Sequence, residues 1–365
     1  MIRHLRSAYV GVGWEILRNY RLGELFCGPG GLGLGAQYTD IGNGDKITHV
    51  WATDYDADTC NTYLKNIEGA SARSVICEDI RELDYNRLGE ISDIDGLAFG
   101  FPCNDFSIVG ERKGISGEFG PLYKYGVKAL EIFRPQWFIA ENVGGLRSNN
   151  AGKAFERIMK ELRRAGYEIV PNLYKFEQYG VPQARHRIIV VGMRSDLDKT
   201  FKVPSSEPFK HLDISAATAL AGSMDGLTGT EKTRQSARVV ERLTHIKPGQ
   251  NAFTADLPDR LQINTRTRIS QIYRRLDPAK PAYTVTGSGG GGTHMYHWAE
   301  PRALTNRERA RLQTFPDDFD FCGSKEKVRR QIGMAVPPKG AQVIFEAILK
   351  TMAGIEYEWQ EFSLK

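Results

Sequence analysis

Three short segments of this chain carry residues whose types and spacing could do covalent chemistry. Cys103 lies in Gly100-Phe101-Pro102-Cys103-Asn104-Asp105-Phe106-Ser107, directly after the apolar run Gly96-Leu97-Ala98-Phe99. Proline and polar neighbours favour an exposed turn at a strand end, where a thiol can ionise and attack. Most cysteines in such settings are inert core residues, so the reading rests on that exposure. Glu141, followed by Asn142-Val143, ends a second apolar run, Trp137-Phe138-Ile139-Ala140. A carboxylate there falls on the same sheet edge as Cys103, either as a catalyst or as a plain helix cap. Arg185 and Arg187 are two residues apart in Gln183-Ala184-Arg185-His186-Arg187. An extended chain points both to one face. Such a pair suits a phosphate or a carbonyl oxygen that gains charge, or it makes ordinary surface ion pairs.

A fourth segment binds rather than reacts. Leu25-Phe26-Cys27-Gly28-Pro29-Gly30-Gly31-Leu32-Gly33 satisfies G-x-G-x-x-G after an apolar strand, and Asp54 follows Gly33 by 21 residues. The glycines let backbone approach a ligand, and the acid accepts hydrogen bonds from ribose hydroxyls. A nicotinamide dinucleotide and S-adenosylmethionine both fit at this point. Tyr55 is placed to stack on a purine, or to pack as a plain aromatic. Asp79, followed by Ile80, is placed to accept from an adenine amino group, or to cap a helix. His294 and His297 have tempting spacing but no nearby cysteine or acidic partner, so no metal is expected.

The elements that must hold these residues alternate. β-rich runs fall at 22–26, 49–53, 74–77, 96–100, 136–140 and 187–193, with helical patterns at 56–66, 122–133 and 151–165. Strand, helix, strand in this order predicts a parallel, doubly wound α/β sheet. The run Ile188-Ile189-Val190-Val191 reads as a strand covered on both faces. Beyond Ser195 the periodicity weakens. Residues 232–280 hold eleven Lys/Arg against four Asp/Glu, a local +7 in a chain of net +5. A glycine-rich stretch, 287–292, follows, and helical patterns return at 305–314 and 339–351. The expected layout is an α/β domain over 1–194, a smaller basic insertion over 195–300, and a return to the first domain over 301–365. Arg266, Arg268, Arg274 and Arg275 stand in this basic stretch and are suited to phosphate contacts, or make a solvated basic face.

Composition narrows the setting. At 365 residues, 41% hydrophobic and 25% charged, the chain can bury a sizeable core. No apolar run reaches the roughly 18–20 residues of a membrane span. The first 20 residues interrupt their apolar run with Arg3, Arg6, Glu15 and Arg18, unlike a secretory signal. Five cysteines without a Cys-x-x-Cys pair argue against a disulfide framework or a zinc finger. A reducing, cytoplasmic setting is expected.

Taken in order, these motifs resemble the cytosine-C5 DNA methyltransferases. The resemblance covers about residues 22–349. It rests on Phe26-x-Gly28-x-Gly30-Gly31, Asp54-Tyr55, Asp79-Ile80, Gly100-Phe101-Pro102-Cys103, Glu141-Asn142-Val143 and Gln183-x-Arg185-x-Arg187. Two later elements complete it: Leu304-Thr305-x-Arg307-Glu308-x-x-Arg311-Leu312-x-x-Phe315-Pro316 and Gly333-Met334-Ala335-Val336-Pro337. It implies a Rossmann-like S-adenosylmethionine-dependent sheet carrying a smaller, irregular target-recognition domain. Cys103, Glu141, Arg185 and Arg187 would be catalytic. Phe26, Gly28, Gly30, Gly31, Asp54, Tyr55, Asp79, Ile80, Pro102 and Leu122 would hold the cofactor. Asn104 and Ser107 would contact DNA, together with the four arginines of the basic stretch.

The implied reaction is methyl transfer from S-adenosylmethionine to C5 of a flipped-out cytosine, after Cys103 attacks C6. The implied partner is double-stranded DNA with a short specific site, bound by a monomer, with a cognate restriction endonuclease as a companion. Two departures stand out. Asn104 replaces the family's usual Gln, which bears on contacts around the flipped base. Met334 replaces its usual Asn, which bears on one cofactor contact. A nicotinamide-dependent oxidoreductase would leave Cys103, Glu141 and the two arginines without a task. A non-catalytic relative would not retain Cys103 and Glu141. The tRNA-methylating branch carries a Cys-Phe-Thr segment that is absent here.

Overall fold

A computed structural model describes residues 17–100, 122–143, 152–263, 270–290 and 292–364, apart from the side chain of Val143. The first half alternates as the sequence patterning requires: β1 (Asn19–Leu25), α1 (Gly31–Gln37), β2 (Lys46–Asp54), α2 (Ala57–Asn66), β3 (Val75–Cys77), α3 (Tyr85–Ile91), β4 (Gly96–Gly100), α4 (Tyr123–Phe133), β5 (Trp137–Val143), α5 (Gly152–Arg164), β6 (Tyr167–Lys175), β7 (Gln183–Ala184) and β8 (His186–Arg194). Helix starts are marked chemically. Asp56, for example, accepts from Thr59 N at the start of α2. In α5, Ala154, Ile158, Met159 and Leu162 recur at helical spacing and are buried, while the lysines and glutamates between them face outward.

Seven strands form one sheet in the order β3-β2-β1-β4-β5-β8-β6. β1 to β5 pair in parallel. β8 pairs antiparallel to both β5 and β6, so the sheet is mixed rather than wholly parallel as expected. The connection from β6 to β8 is ten residues long and contains only a 3-10 turn and β7. A link of that kind permits an antiparallel return, whereas a parallel one needs a longer crossover. β8 is nonetheless buried on both faces, as its apolar run predicts.

Both faces of the sheet are covered. On one, Leu97, Phe99 and Ile188 pack with Val127 and Leu130 of α4 and with Ile158 and Leu162 of α5. On the other, Leu22, Ile139 and Val191 pack with a returning C-terminal helix. The remaining elements are β9 (Val203–Pro204), α6 (Ala216–Ala219), α7 (Ala237–Thr244), β10 (Ala282–Tyr283), α8 (Asn306–Leu312), α9 (Lys325–Met334), α10 (Pro338–Ala353) and β11 (Trp359–Gln360). α10 is that returning helix, and it closes on α1 so tightly that glycine is required. A Cβ at Gly31 would lie 2.2 Å from Val336 O, and one at Gly35 would lie 2.5 Å from Ala341 Cβ. Gly31→Ala is therefore expected to cost about 1–3 kcal/mol, seen as a lower melting temperature, with Gly42→Ala as a control for the turn glycines.

The basic middle stretch is irregular, with a small core of its own at Leu243, Ile246, Ala252, Ile272 and Tyr296. Phe201 and Val203 instead belong to the core beneath α10, and β9 pairs with β11. Packing is thus continuous across position 195.

Candidate active site

Strand order reverses between β1 and β4, and in such sheets ligands sit at the carboxyl ends of strands at that point. The residues there converge. The turn after β1 needs left-handed backbone at Phe26 (φ 54°), Gly28 (φ 56°) and Gly30 (φ 98°). It is tied to the end of β2. Cys27 N donates to Thr53 O at 2.9 Å, and Gly28 N donates to Asp54 Oδ2 at 3.0 Å. Asp54 Oδ1 accepts from Asp56 N at 3.1 Å. Burial pushes the Asp54 carboxyl up, and these backbone donors oppose the shift. A Cβ at Gly28 would meet nothing within 4 Å, so the turn presents open backbone.

A cavity of 270 Å³ runs past this turn. Its wall includes Phe26, Gly28, Asp54 and Tyr55 from the β1 and β2 ends, and Gly100, Glu141 and Arg187 from β4, β5 and β8. Tyr55 is 69% exposed, so its ring is free to stack. Gly100 pairs with Glu141 across β4 and β5, and a Cβ at Gly100 would lie 3.3 Å from Glu141 Oε2. Arg187 Nε donates to Glu141 Oε1 at 2.9 Å, with both side chains largely buried. Burial raises the Glu141 pKa, opposed by Arg187 and Arg185. A carboxyl whose pKa is raised by burial beside a fixed guanidinium is suited to exchange a proton with a bound group.

The other candidate residues divide. Arg185 is fully buried and turned away from the cavity wall. Its Nη1 donates to Val285 O and its Nη2 to Gly333 O, both at 3.0 Å. It anchors the start of β8, and hence Arg187, to the segment after β10 and to α9. Asp79 is engaged by Arg81, with Nε at 2.9 Å and Nη2 at 2.6 Å, and it does not reach the cavity wall. Ile80 and Leu122 are core residues beneath the sheet edge. Gly30 faces Ile67 and Tyr63, and Gly31 faces Val336, so both serve the turn's packing. Pro102, Cys103, Asn104, Ser107, Arg266 and Arg268 lie outside the described residues.

Arg274 and Arg275, adjacent in sequence, have opposite fates. The Arg274 guanidinium lies 4.6 Å over the Tyr283 ring. Arg275 is buried, with donors to the carbonyls of Leu243, Ile246, His297 and Trp298. Its expected place among the DNA contacts is therefore corrected. The guanidinium is consumed in tying the middle segment's own loops together, which leaves no donor facing a duplex.

The sequence reasoning passed over α9. Lys327, Arg330 and Met334 of this helix complete the cavity wall. Lys327 N is capped by Ser324 and its Nζ pairs with Asp58. Met334 is 63% exposed. Ser324 before a run of helix formers, with Pro337 beyond it, is the signal that would have placed the helix. Among the described residues no group of three His, Cys, Asp or Glu side chains is placed to hold a metal.

A glycine turn tied to a strand-end acid thus shares one cavity with a buried carboxylate–guanidinium pair in an α/β fold. Residues 20–350 match the family model described as C-5 cytosine-specific DNA methylase, and the chain belongs to that family. It is 57% identical over 349 residues to the Type II methyltransferase M.BbvI of Brevibacillus brevis, covering 93% of each chain. It is 39% identical over 333 residues to the Type II methyltransferase M.NgoFVII of Neisseria gonorrhoeae, covering 89% of this chain and 85% of that one. In fold it resembles the solved Dnmt2 methyltransferase of S. pombe, with a TM-score of 0.60 at 15% identity, covering 93% of this chain and all of the other. The enzyme is a cytosine-C5 DNA methyltransferase, and its family and fold imply S-adenosylmethionine as methyl donor.

Proposed function

We propose that this protein methylates C5 of one cytosine within a short specific site of duplex DNA, through attack of the Cys103 thiolate on C6 of a flipped-out base. The observation that carries this reading is the single cavity joining Gly28, Asp54 and Tyr55 to Glu141 and Arg187. The first three fit an adenosyl group: open backbone at Gly28, an acceptor carboxylate for ribose hydroxyls, and an exposed ring for the purine. The bound cofactor supplies an electrophilic methyl group. The chain's residues do the rest. Cys103 adds to C6 and makes C5 nucleophilic. Glu141 holds or donates a proton at the ring nitrogen N3 and accepts from the exocyclic amine. Arg187, fixed by Glu141 and by the Arg185 anchor, offers donors to the O2 carbonyl as charge enters the ring. Loss of the C5 proton then releases Cys103.

Base flipping costs a few kcal/mol and needs a surface that holds the distorted duplex. The basic stretch within 195–300 supplies it, with Arg274, Arg266 and Arg268 as phosphate or base contacts. The Type II names of the relatives support a companion restriction endonuclease. A cytoplasmic site of action follows from the DNA substrate, and no described helix is long and apolar enough to cross a membrane.

The direct test is transfer of tritium from methyl-labelled S-adenosylmethionine into duplex DNA, with label expected in 5-methylcytosine. Asp54→Ala should weaken S-adenosylmethionine binding, measured as a smaller ligand-induced thermal shift. Nicotinamide dinucleotide should give no shift. A shift with that dinucleotide and none with S-adenosylmethionine overturns the cofactor assignment.

A further inference from the structure

Most arginines in the C-terminal third have obvious partners. Arg302 is paired with Glu300 and Glu308. Arg307 donates to the carbonyls of Thr228, Pro316 and Phe319. Arg311 is paired with Asp317. Arg309 and Arg329 break the pattern. Arg309, on α8, is 1% exposed, and its Nε and Nη2 have no hydrogen-bond partner. Among the described residues its hydrogen bond is a long one, Nη1 to Thr286 O at 3.5 Å. Arg329, on α9, is 9% exposed, and its Nε has no partner either. Glu308, next to Arg309 in the sequence, is already held by Arg302, and Glu326, three residues before Arg329 on α9, is exposed.

These two cations lie against the glycine-rich loop. A Cβ at Gly289 would come within 2.7 Å of Arg329 Nε and 2.8 Å of His294 Cε1. Only glycine lets backbone settle there. Gly290 next to it has φ 127° and open space at its Cβ position, and its carbonyl accepts from Thr293 Oγ1 at 2.8 Å. Burial lowers Arg309 only to about 10, so it keeps its charge at neutral pH. Burial, then Arg309 and Arg329, depress His294 to about 4, so the imidazole is neutral there. Two buried like charges whose guanidinium nitrogens are partly left without acceptors among the described residues oppose folding unless an anion joins them.

We propose that Arg309 and Arg329, beneath the loop carrying Gly287 and Gly289, receive a backbone phosphate of the bound duplex. The ligand class is a phosphodiester: an anion with several acceptor oxygens, matched to two guanidinium groups and approached by unencumbered backbone. Gly287 also packs on α9, where a Cβ would lie 3.0 Å from Arg330 Cα, and Arg330 lines the catalytic cavity. The phosphate would therefore be held on the helix that forms one wall of that cavity. This rests on the duplex-DNA reading above and adds two residues that reading did not contain.

The test uses Arg309→Met and Arg329→Gln in the full chain. Binding to a random-sequence duplex is measured across a salt titration. Each variant should weaken binding, and each should reduce the slope of log affinity against log salt by about one unit. Without DNA, Arg309→Met should melt above the wild type, because an unpaired buried charge has gone. A purely structural arginine would do the reverse. Sulfate, as the anion probe at fixed ionic strength, should raise the melting temperature of the wild type and not that of Arg309→Met. Unchanged duplex affinity and slope in both variants overturn the proposal, as does a lowered melting temperature for Arg309→Met. If the wild type binds no duplex, the DNA reading itself fails, and the sulfate arm alone decides whether the two arginines form an anion site.

Discussion

Cys103→Ala is expected to lose methyl transfer down to at most a few per cent of wild-type turnover, while duplex affinity stays within about tenfold. The two effects separate because they have different physical origins. In the proposed reaction the thiolate adds to C6 and raises the electron density at C5, which an alanine cannot do. Affinity for DNA comes chiefly from phosphate contacts spread over many basic residues. Rapid-quench turnover and a filter-binding titration on one preparation measure both. A substrate with 5-fluorocytosine at the target should trap the wild type as a covalent adduct, since fluorine cannot leave C5 as a proton does. Cys103→Ala should form none. Retained turnover in the variant would remove Cys103 from the nucleophile role.

Glu141→Gln should lower kcat by about 10²–10⁴-fold, the range for losing a positioned acid or base. The shape of the pH profile is the sharper readout. Burial is the largest influence on Glu141 and raises its pKa, with Arg187 and Arg185 pulling the other way. A raised carboxyl stays protonated above the usual glutamate range, so the proton that stabilises the ring is lost as pH rises through the raised value. The wild-type rate should carry that limb, and the carboxamide variant, which does not titrate, should lack it. Stability follows the same sign. The native state holds this proton where the unfolded chain has released it, so the contribution is complete below 4.5, the ordinary glutamate value, and fades as pH rises through the folded one. Thermal melts of wild type and Glu141→Gln across that window should diverge accordingly. Identical pH–rate profiles would show that Glu141 does not exchange a proton in the reaction.

Parts of this site were legible because they are local. A glycine turn after an apolar strand, an acid at the next strand's end and a carboxylate closing a third are short patterns whose geometry follows from strand direction and turn sterics. Strand order and direction alone place Asp54, Tyr55 and Glu141 on one sheet edge. The arginine pair was legible only in half. Period-two spacing puts Arg185 and Arg187 on one face of a regular strand, but Arg185 falls in the break between β7 and β8. Its guanidinium turns inward to two carbonyls supplied from 100 and 148 residues away.

The sequence by itself determined the α/β alternation, the nucleoside-type turn, the ordered motifs of the family and the basic character of the middle stretch. Tertiary structure alone decided which cations remain available. Arg274 stacks on a ring while its neighbour Arg275 is spent on loop carbonyls. Arg309 and Arg329 are buried with guanidinium nitrogens left unpartnered among the described residues, although nothing in their local sequence distinguishes them from Arg307, held by carbonyls, and Arg311, paired with Asp317. It also decided that α9 forms the cavity's far wall, and that β8 turns antiparallel. The physical reason is common to all of these. Turn conformation and strand periodicity are set by residues a few positions apart. Burial and the pairing of a charge depend on which distant backbone and carboxylates the chain brings within about 3 Å, the reach of a hydrogen bond.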